Sequence, residues 1–247
     1  GAKNEGTKIE VQKVREYIKT INGFSEVEII EREHNYGLAN SIIDGVTKVV
    51  KNHGKIIVLE DDLVSGPFFL QFMNDGLELY NDEKKVASVH GYTYPMKRLE
   101  RTFFIKGTDC WGWGTWDRAW DIFEKDGQKL LKRLEDKELT EEFDFNNSYP
   151  YTKLLRDQII GKNDSWAIRW KAAAFLKDML TLYNLESHIQ NIGNDDSGTH
   201  NDSTEDYNVN LSASYYKLNK ISIKENTAMR EKMGSFYHSI KPSFKDK

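Results

Sequence analysis

The chain has one cysteine, Cys110, among 247 residues, so no disulfide can form within it and a reducing compartment is expected. It has no apolar run near the roughly 20 residues that span a bilayer, so we expect no transmembrane segment. Neither sign of charge dominates: 35 basic against 39 acidic residues leave a net charge of -4. Without a basic block, nucleic acid is not an expected partner. A Gly-x-x-x-x-Gly-Lys-Ser/Thr loop is also missing, which argues against a nucleotide hydrolase of the P-loop type. What remains is a chain long enough for one large α/β domain with a helical annex. Its first residue is Gly1, and Gly-Ala-Lys-Asn-Glu-Gly reads as a loop joined midway, so we expect a piece of something longer.

The most informative stretch is Lys55-Ile-Ile-Val-Leu-Glu60-Asp61-Asp62-Leu63. A run of aliphatic residues reads as a strand buried on both faces, the habit of parallel sheets. Such sheets bind ligands beyond the carboxyl ends of their strands. The three adjacent acids therefore sit where a ligand belongs, and a hard divalent cation relieves their mutual repulsion most simply. A solvated acidic turn is the competing explanation.

Around this strand the pattern alternates. A helix over 7–21 precedes a strand at Val27–Glu31, and a second helix runs from Leu38 to Gly54. A helix follows Pro67, then a strand at Val86–His90. The order predicts a doubly wound, mainly parallel sheet flanked by helices, with Glu60, Asp61 and Asp62 at the end of a central strand. Residues 117–180 read as mostly helical, 190–210 as a polar loop with an amphipathic segment (Val209–Leu218) after it, and 227–247 as a basic, flexible tail to a single domain over 1–226.

Four further segments carry chemistry. Asn35-Tyr36-Gly37 lies at a strand-to-helix junction, where free helix N–H groups favour phosphate; it also reads as an ordinary helix start. Cys110-Trp111-Gly112-Trp113-Gly114-Thr115-Trp116 interleaves flat rings with glycines, which suits either a pocket wall for a sugar face or a Trp-rich core corner. Asp164, before the helix that starts at Trp166, fits an N-cap and equally a general base. The tract Asn191 to His200 is glycine-rich and ends in the one His set to touch phosphate or metal.

Taken together, the segments IIEREHNYGLANSI, IIVLEDDL, CWGWGTWDRAW, NDSWAIRW and NIGNDDSGTH resemble bacterial glycosyltransferases of the family 2 type with the GT-A fold. More distantly they resemble the N-acetylglucosaminyltransferase I group, whose metal motif is also Glu-Asp-Asp-Leu. The likeness covers roughly residues 1–205. It implies a hexosyl- or N-acetylhexosaminyltransferase using a nucleotide-diphosphate sugar, most simply a UDP-sugar, with Mn²⁺ or Mg²⁺, and a saccharide or glycolipid acceptor. By position, Asp62 matches the metal ligand and Asp164 the catalytic base. Asn35, Gly37, Glu60, Asp61, Trp111, Trp113 and His200 match donor-binding positions. A cytoplasmic, membrane-peripheral enzyme of surface polysaccharide or glycoconjugate synthesis is what such a likeness implies. One departure is expected: the first βαβ unit, about fifty residues, is not seen, so this chain itself could be inactive. A non-catalytic carbohydrate-binding or pseudo-enzyme module is the alternative.

Overall fold

A computed structural model describes residues 1–96, 100–193 and 204–240. The fold is α/β, with helices on both faces of a five-stranded sheet. After a 3-10 turn at Glu5–Thr7 come α1 (Lys8–Ile18), α2 (Leu38–His53), β1 (Lys55–Val58), β2 (Leu63–Ser65), α3 (Phe69–Leu79) and β3 (Val86–His90). Then follow β4 (Thr102–Lys106), β5 (Trp113–Trp116), α4 (Asp117–Trp120), α5 (Gly127–Asp136), α6 (Thr140–Phe143), α7 (Tyr151–Ile159) and α8 (Trp166–Leu176). β6 (Leu180–Asn184), β7 (Ile189–Asn191) and α9 (Thr227–Ser239) complete the described elements.

The large sheet has the order β1-β5-β3-β6-β4, and β2 pairs with β7 in a small antiparallel ribbon. The sheet is mixed, not mainly parallel. β3 and β6 run parallel, whereas β1 with β5, β3 with β5 and β4 with β6 are antiparallel. The reason is the Trp block itself, which folds back as β5 and inserts between β1 and β3. That insertion also moves β1 from the expected centre to the edge of the sheet.

Period-two alternation along β5 explains the packing. A side chain at Gly114 would run into Met73 and Leu77 of α3, and Trp116 donates its indole N–H to the Leu77 carbonyl at 3.1 Å. Trp113, on the opposite face, stacks on Trp166 with ring centres 5.3 Å apart, beside Trp120 and Trp170. One face of the sheet is therefore sealed by α3 and the other by α8 and α4. α8 is apolar nearly all round and ten of its residues are buried, the mark of a helix running through a core. Its two cations are bonded inside: Arg169 donates through Nε and Nη1 to the Ser165 and Lys125 carbonyls, and Lys171 to the Thr108 carbonyl at 2.9 Å.

Two expectations fail, the strand at Val27–Glu31 and the flexibility of the tail from its first residue. Val27–Glu31 is extended but joins no ladder among the described residues. It lies along α2, held by the charged pairs Glu28–Lys48 and Arg32–Asp44. Residues 209–218 form no helix or strand, although Ser212 and Leu218 are buried. Of the expected tail over 227–247, Thr227–Ser239 forms α9, capped by Asn226 and docked through Met229, Met233 and Tyr237, while residues 241–247 lie outside the described residues. No helix among the described residues is long and apolar enough to cross a membrane.

Candidate functional site

The acids follow β1 directly. Val58, the last residue of β1, pairs with Trp113, so Glu60 to Asp62 emerge on the same sheet edge as the Trp block. The β2–β7 ribbon then fixes Asp62, whose carbonyl accepts the Ile192 N–H at 2.9 Å. Gly193 presses on the same residue: a methyl group there would lie 2.6 Å from Asp62 Oδ2, so only glycine leaves the carboxylate its place.

Glu60 and Asp62 are half-buried and Asp61 is exposed. Glu60 Oε1 and Asp62 Oδ1 are buried oxygens with no hydrogen-bond partner among the described residues. Such orphans are rare, because an unsatisfied buried carboxylate oxygen is costly. Burial, with the charges of Asp62 and Asp61, raises the Glu60 carboxyl to about 7, although a hydrogen bond from Trp166 opposes the rise. Burial, with Asp61, raises Asp62 as well. Neither group has a positive partner among the described residues. Among the described residues, however, no group of three or more His, Cys, Asp or Glu is arranged around a metal-sized point.

Trp166 connects these acids to the start of α8. The N-cap there is Ser165, whose Oγ accepts the Ile168 N–H at 3.2 Å, and not Asp164. Asp164 is thereby released from a capping role. Its side chain is 61% exposed, with Oδ1 3.8 Å from the Arg169 guanidinium. Its Oδ2 lies 3.5 Å from where a Cβ on Gly37 would stand. Gly37, at a φ of 75° that favours glycine, caps α2, and its N–H is accepted by the Asn35 side chain at 2.9 Å. So the Asn35–Gly37 turn, Asp164, Trp166 and Glu60 form one neighbourhood, although they are far apart in the chain.

Trp111 and Trp113 separate. Trp113 is fully buried in the Trp cluster and is core, not pocket wall, because the β5 alternation turns it toward α8. Trp111 stays partly exposed, and its N–H is accepted by the buried His90 Nε2 at 3.1 Å. His200 lies outside the described residues. Two surface depressions, of about 290 and 390 Å³, are lined by other residues: one at the amino end of β1 around His53 and Arg118, the other around Glu186 and Leu211.

Sequence reasoning missed Asp109, one residue before the Trp block. Its carboxylate accepts from Tyr94 at 2.5 Å, Tyr183 at 3.3 Å and the Cys110 N–H at 3.0 Å. Burial alone would raise the pKa of Asp109, but His90 and Lys171, with the hydrogen bonds from Tyr94 and Cys110, hold it below the ordinary carboxylate range. Burial pushes the Cys110 thiol well up, reinforced by the charges of Asp109, Glu60 and Asp62, so Cys110 stands between the two acidic sites. The only available signal was a carboxylate abutting an aromatic, glycine-rich run. No protein-family model matches the chain, and no curated protein matches it.

Proposed function

We propose that this chain is the catalytic part of a GT-A-type glycosyltransferase that moves a sugar from a nucleotide-diphosphate donor, most simply a UDP-sugar, to an acceptor hydroxyl. The observation that carries the reading is the pair of buried oxygens on Glu60 and Asp62, after the end of β1, that have no hydrogen-bond partner among the described residues. Acids left in that condition call for a cation, and Mn²⁺ or Mg²⁺ fits an all-oxygen donor set. Asp62 would hold the ion, with Glu60 and Asp61 toward the sugar and ribose. When bound, the cation supplies Lewis-acid neutralisation of the charge that builds on the departing diphosphate.

The chain's own groups account for the remaining steps. The Asn35–Gly37 turn opens α2 beside Asp164, where a glycine lets a ligand come close to the backbone. Asp164, uncommitted to capping, accepts the proton of the acceptor hydroxyl as that oxygen attacks the anomeric carbon. Displacement assisted by a single base inverts the configuration. The Trp166 side chain, hydrogen-bonding Glu60, favours its charged form. A cytoplasmic, membrane-peripheral enzyme of surface glycan synthesis goes with this reading.

The second reading, a non-catalytic carbohydrate-binding module, is favoured by the lack of a preassembled three-ligand group among the described residues. Calorimetric titration of UDP-sugars with Mn²⁺ and with EDTA separates the two. The transferase reading expects Mn²⁺-dependent binding that Asp62→Ala abolishes. Binding that EDTA leaves unchanged would remove the metal from the scheme, and no binding of any UDP-sugar would remove the transferase.

A further inference from the structure

Beyond the acids, four partly exposed aromatic rings from four separate parts of the chain come together. Trp111 precedes β5, Tyr149 precedes α7, Tyr207 follows β7 by sixteen residues, and Phe236 is on α9. Trp111 meets Tyr207 edge-on with centres 5.4 Å apart, and Tyr207 meets Phe236 edge-on at 5.8 Å. Tyr149 packs at 4.9 Å on the buried Tyr237, which also underlies Phe236 at 6.0 Å. The segment carrying Tyr207 is pinned, because Tyr92 donates its hydroxyl to the Tyr207 carbonyl at 2.8 Å.

Tyr94, whose ring centre lies 6.5 Å from that of Tyr207 and 5.5 Å from that of Phe236, donates its hydroxyl to Asp109 at 2.5 Å and so ties the carboxylate to these rings. Burial raises the Tyr149 and Tyr207 phenols, and after burial the charge of Asp109 acts on both. Asp109 is already balanced by Lys171, whose ammonium is buried, bonded to the Thr108 carbonyl and 4.4 Å over the Tyr151 ring. A cationic ligand therefore gains little there, and a diphosphate meets a carboxylate with no free cation from Lys171. Partly exposed aromatic rings backed by a fixed carboxylate suit a neutral polyol with one apolar face.

We propose that Trp111, Tyr149, Tyr207 and Phe236, backed by Asp109, form a binding site for a neutral saccharide, on the acceptor side of Trp111 and distinct from the Glu60–Asp62 donor site. Placing it on the acceptor side rests on the transferase reading; the saccharide site itself does not. Cys110 joins the two sites in the chain: it follows Asp109 and feels the charges of Glu60 and Asp62.

The test is direct binding without nucleotide or metal. Methyl glycosides of glucose, galactose and N-acetylglucosamine are titrated against the whole chain in EDTA, followed by tryptophan fluorescence and by saturation-transfer NMR. At least one glycoside is expected to bind saturably, with transfer strongest to the ring protons of its apolar face. Tyr207→Ala and Phe236→Ala should each weaken that binding about tenfold, the scale of one aromatic contact. Tyr207→Phe, which keeps the ring, should stay near wild type and so controls for folding. Asp62→Ala should leave binding unchanged. The site is overturned if none of the three glycosides binds saturably, if both alanine variants bind as well as wild type, or if Asp62→Ala removes the binding. Failure of UDP-sugar binding, by contrast, would overturn the transferase and leave this site standing.

Discussion

Helices α1 and α8 are each eleven residues long, and they could hardly differ more. α1 buries none of its residues, and Ile9, Val14 and Tyr17 stand 68%, 60% and 71% exposed. α8 buries ten, including two tryptophans, an arginine and a lysine. α1 is tied to the body mainly by charge: Arg15 reaches the Arg32 carbonyl and Glu31, and Lys19 reaches Glu31. Such exposed ion pairs are worth about 0–1 kcal/mol each. α8 is held by ring stacking against the sheet and by buried cations bonded to backbone carbonyls. The lesson concerns where a rigid site can stand: the candidate acids and Asp164 are anchored to the α8 end, and only the Asn35–Gly37 turn belongs to the thinly packed side.

The largest expected effect breaks the comparison on its strong side. Trp170 is buried and lies 6.3 Å from Trp113 and 5.1 Å from Trp120, ring centre to ring centre. Trp170→Ala should cost roughly 3–5 kcal/mol, the usual figure for emptying a large aromatic site. Tyr17→Ala should cost no more than about 0.5 kcal/mol, as surface changes do. Urea denaturation of both variants checks the contrast, and equal costs would mean that α1 is packed as well as α8.

The next effect probes the buried network behind Trp111. Burial lowers His90 to about 4, from an ordinary value near 6.5. Its folded value lies below its unfolded one, so the unfolded chain binds the extra proton first as pH falls. The stability that neutral His90 contributes is whole above about pH 6.5 and is lost as pH falls toward 4. Over that window the loss is roughly 3 kcal/mol. His90→Gln keeps an acceptor for the Trp111 N–H but cannot titrate. Its stability should therefore fall less steeply than wild type between pH 6.5 and 4, and parallel curves would remove His90 as the cause.

How far the sequence announces all this depends on the kind of interaction. Helical and strand periodicity is local, so α2, α3, α8, β1 and β3 are legible from spacing alone. Strand pairing is not local. Nothing in Trp113–Trp116 says that it will insert between β1 and β3, and the mixed sheet and the edge position of β1 both follow from that insertion. Val27–Glu31 has the composition of a strand, yet composition supplies no partner, and a strand without a partner is only extended chain. At the site, the Glu60–Asp62 run was visible because three adjacent acids are conspicuous. Tyr149, Tyr207 and Phe236 were invisible because each is unremarkable in its own segment and only the fold brings them together. The same holds for Asp109.

A smaller effect sharpens the contrast at the first turn of α8. Ser165 Oγ caps the helix by accepting the Ile168 N–H. Ser165→Ala should cost about 1 kcal/mol, read by thermal or urea denaturation. A silent change would show that core packing alone fixes where α8 begins.

The smallest expected effect on stability is at the neighbouring residue, and it is also the most telling for function. Asp164 is mostly exposed, makes no cap, and lies 3.8 Å from Arg169, too far for a hydrogen bond. Asp164→Asn should therefore change stability by no more than about 0.5 kcal/mol. If Asp164 takes the acceptor proton, the same change removes the base while preserving shape. Transfer should then fall on the order of 10²- to 10⁴-fold, the range for a lost general base, with donor affinity little altered by calorimetry. Because the fold is untouched, a fall in rate cannot be blamed on unfolding. A rate near wild type would transfer the role elsewhere. Asp157 would be a poor substitute, since Lys153 and Lys162 already engage it at 2.7 and 4.0 Å on α7. Asp195, outside the described residues, would then be the variant to make next.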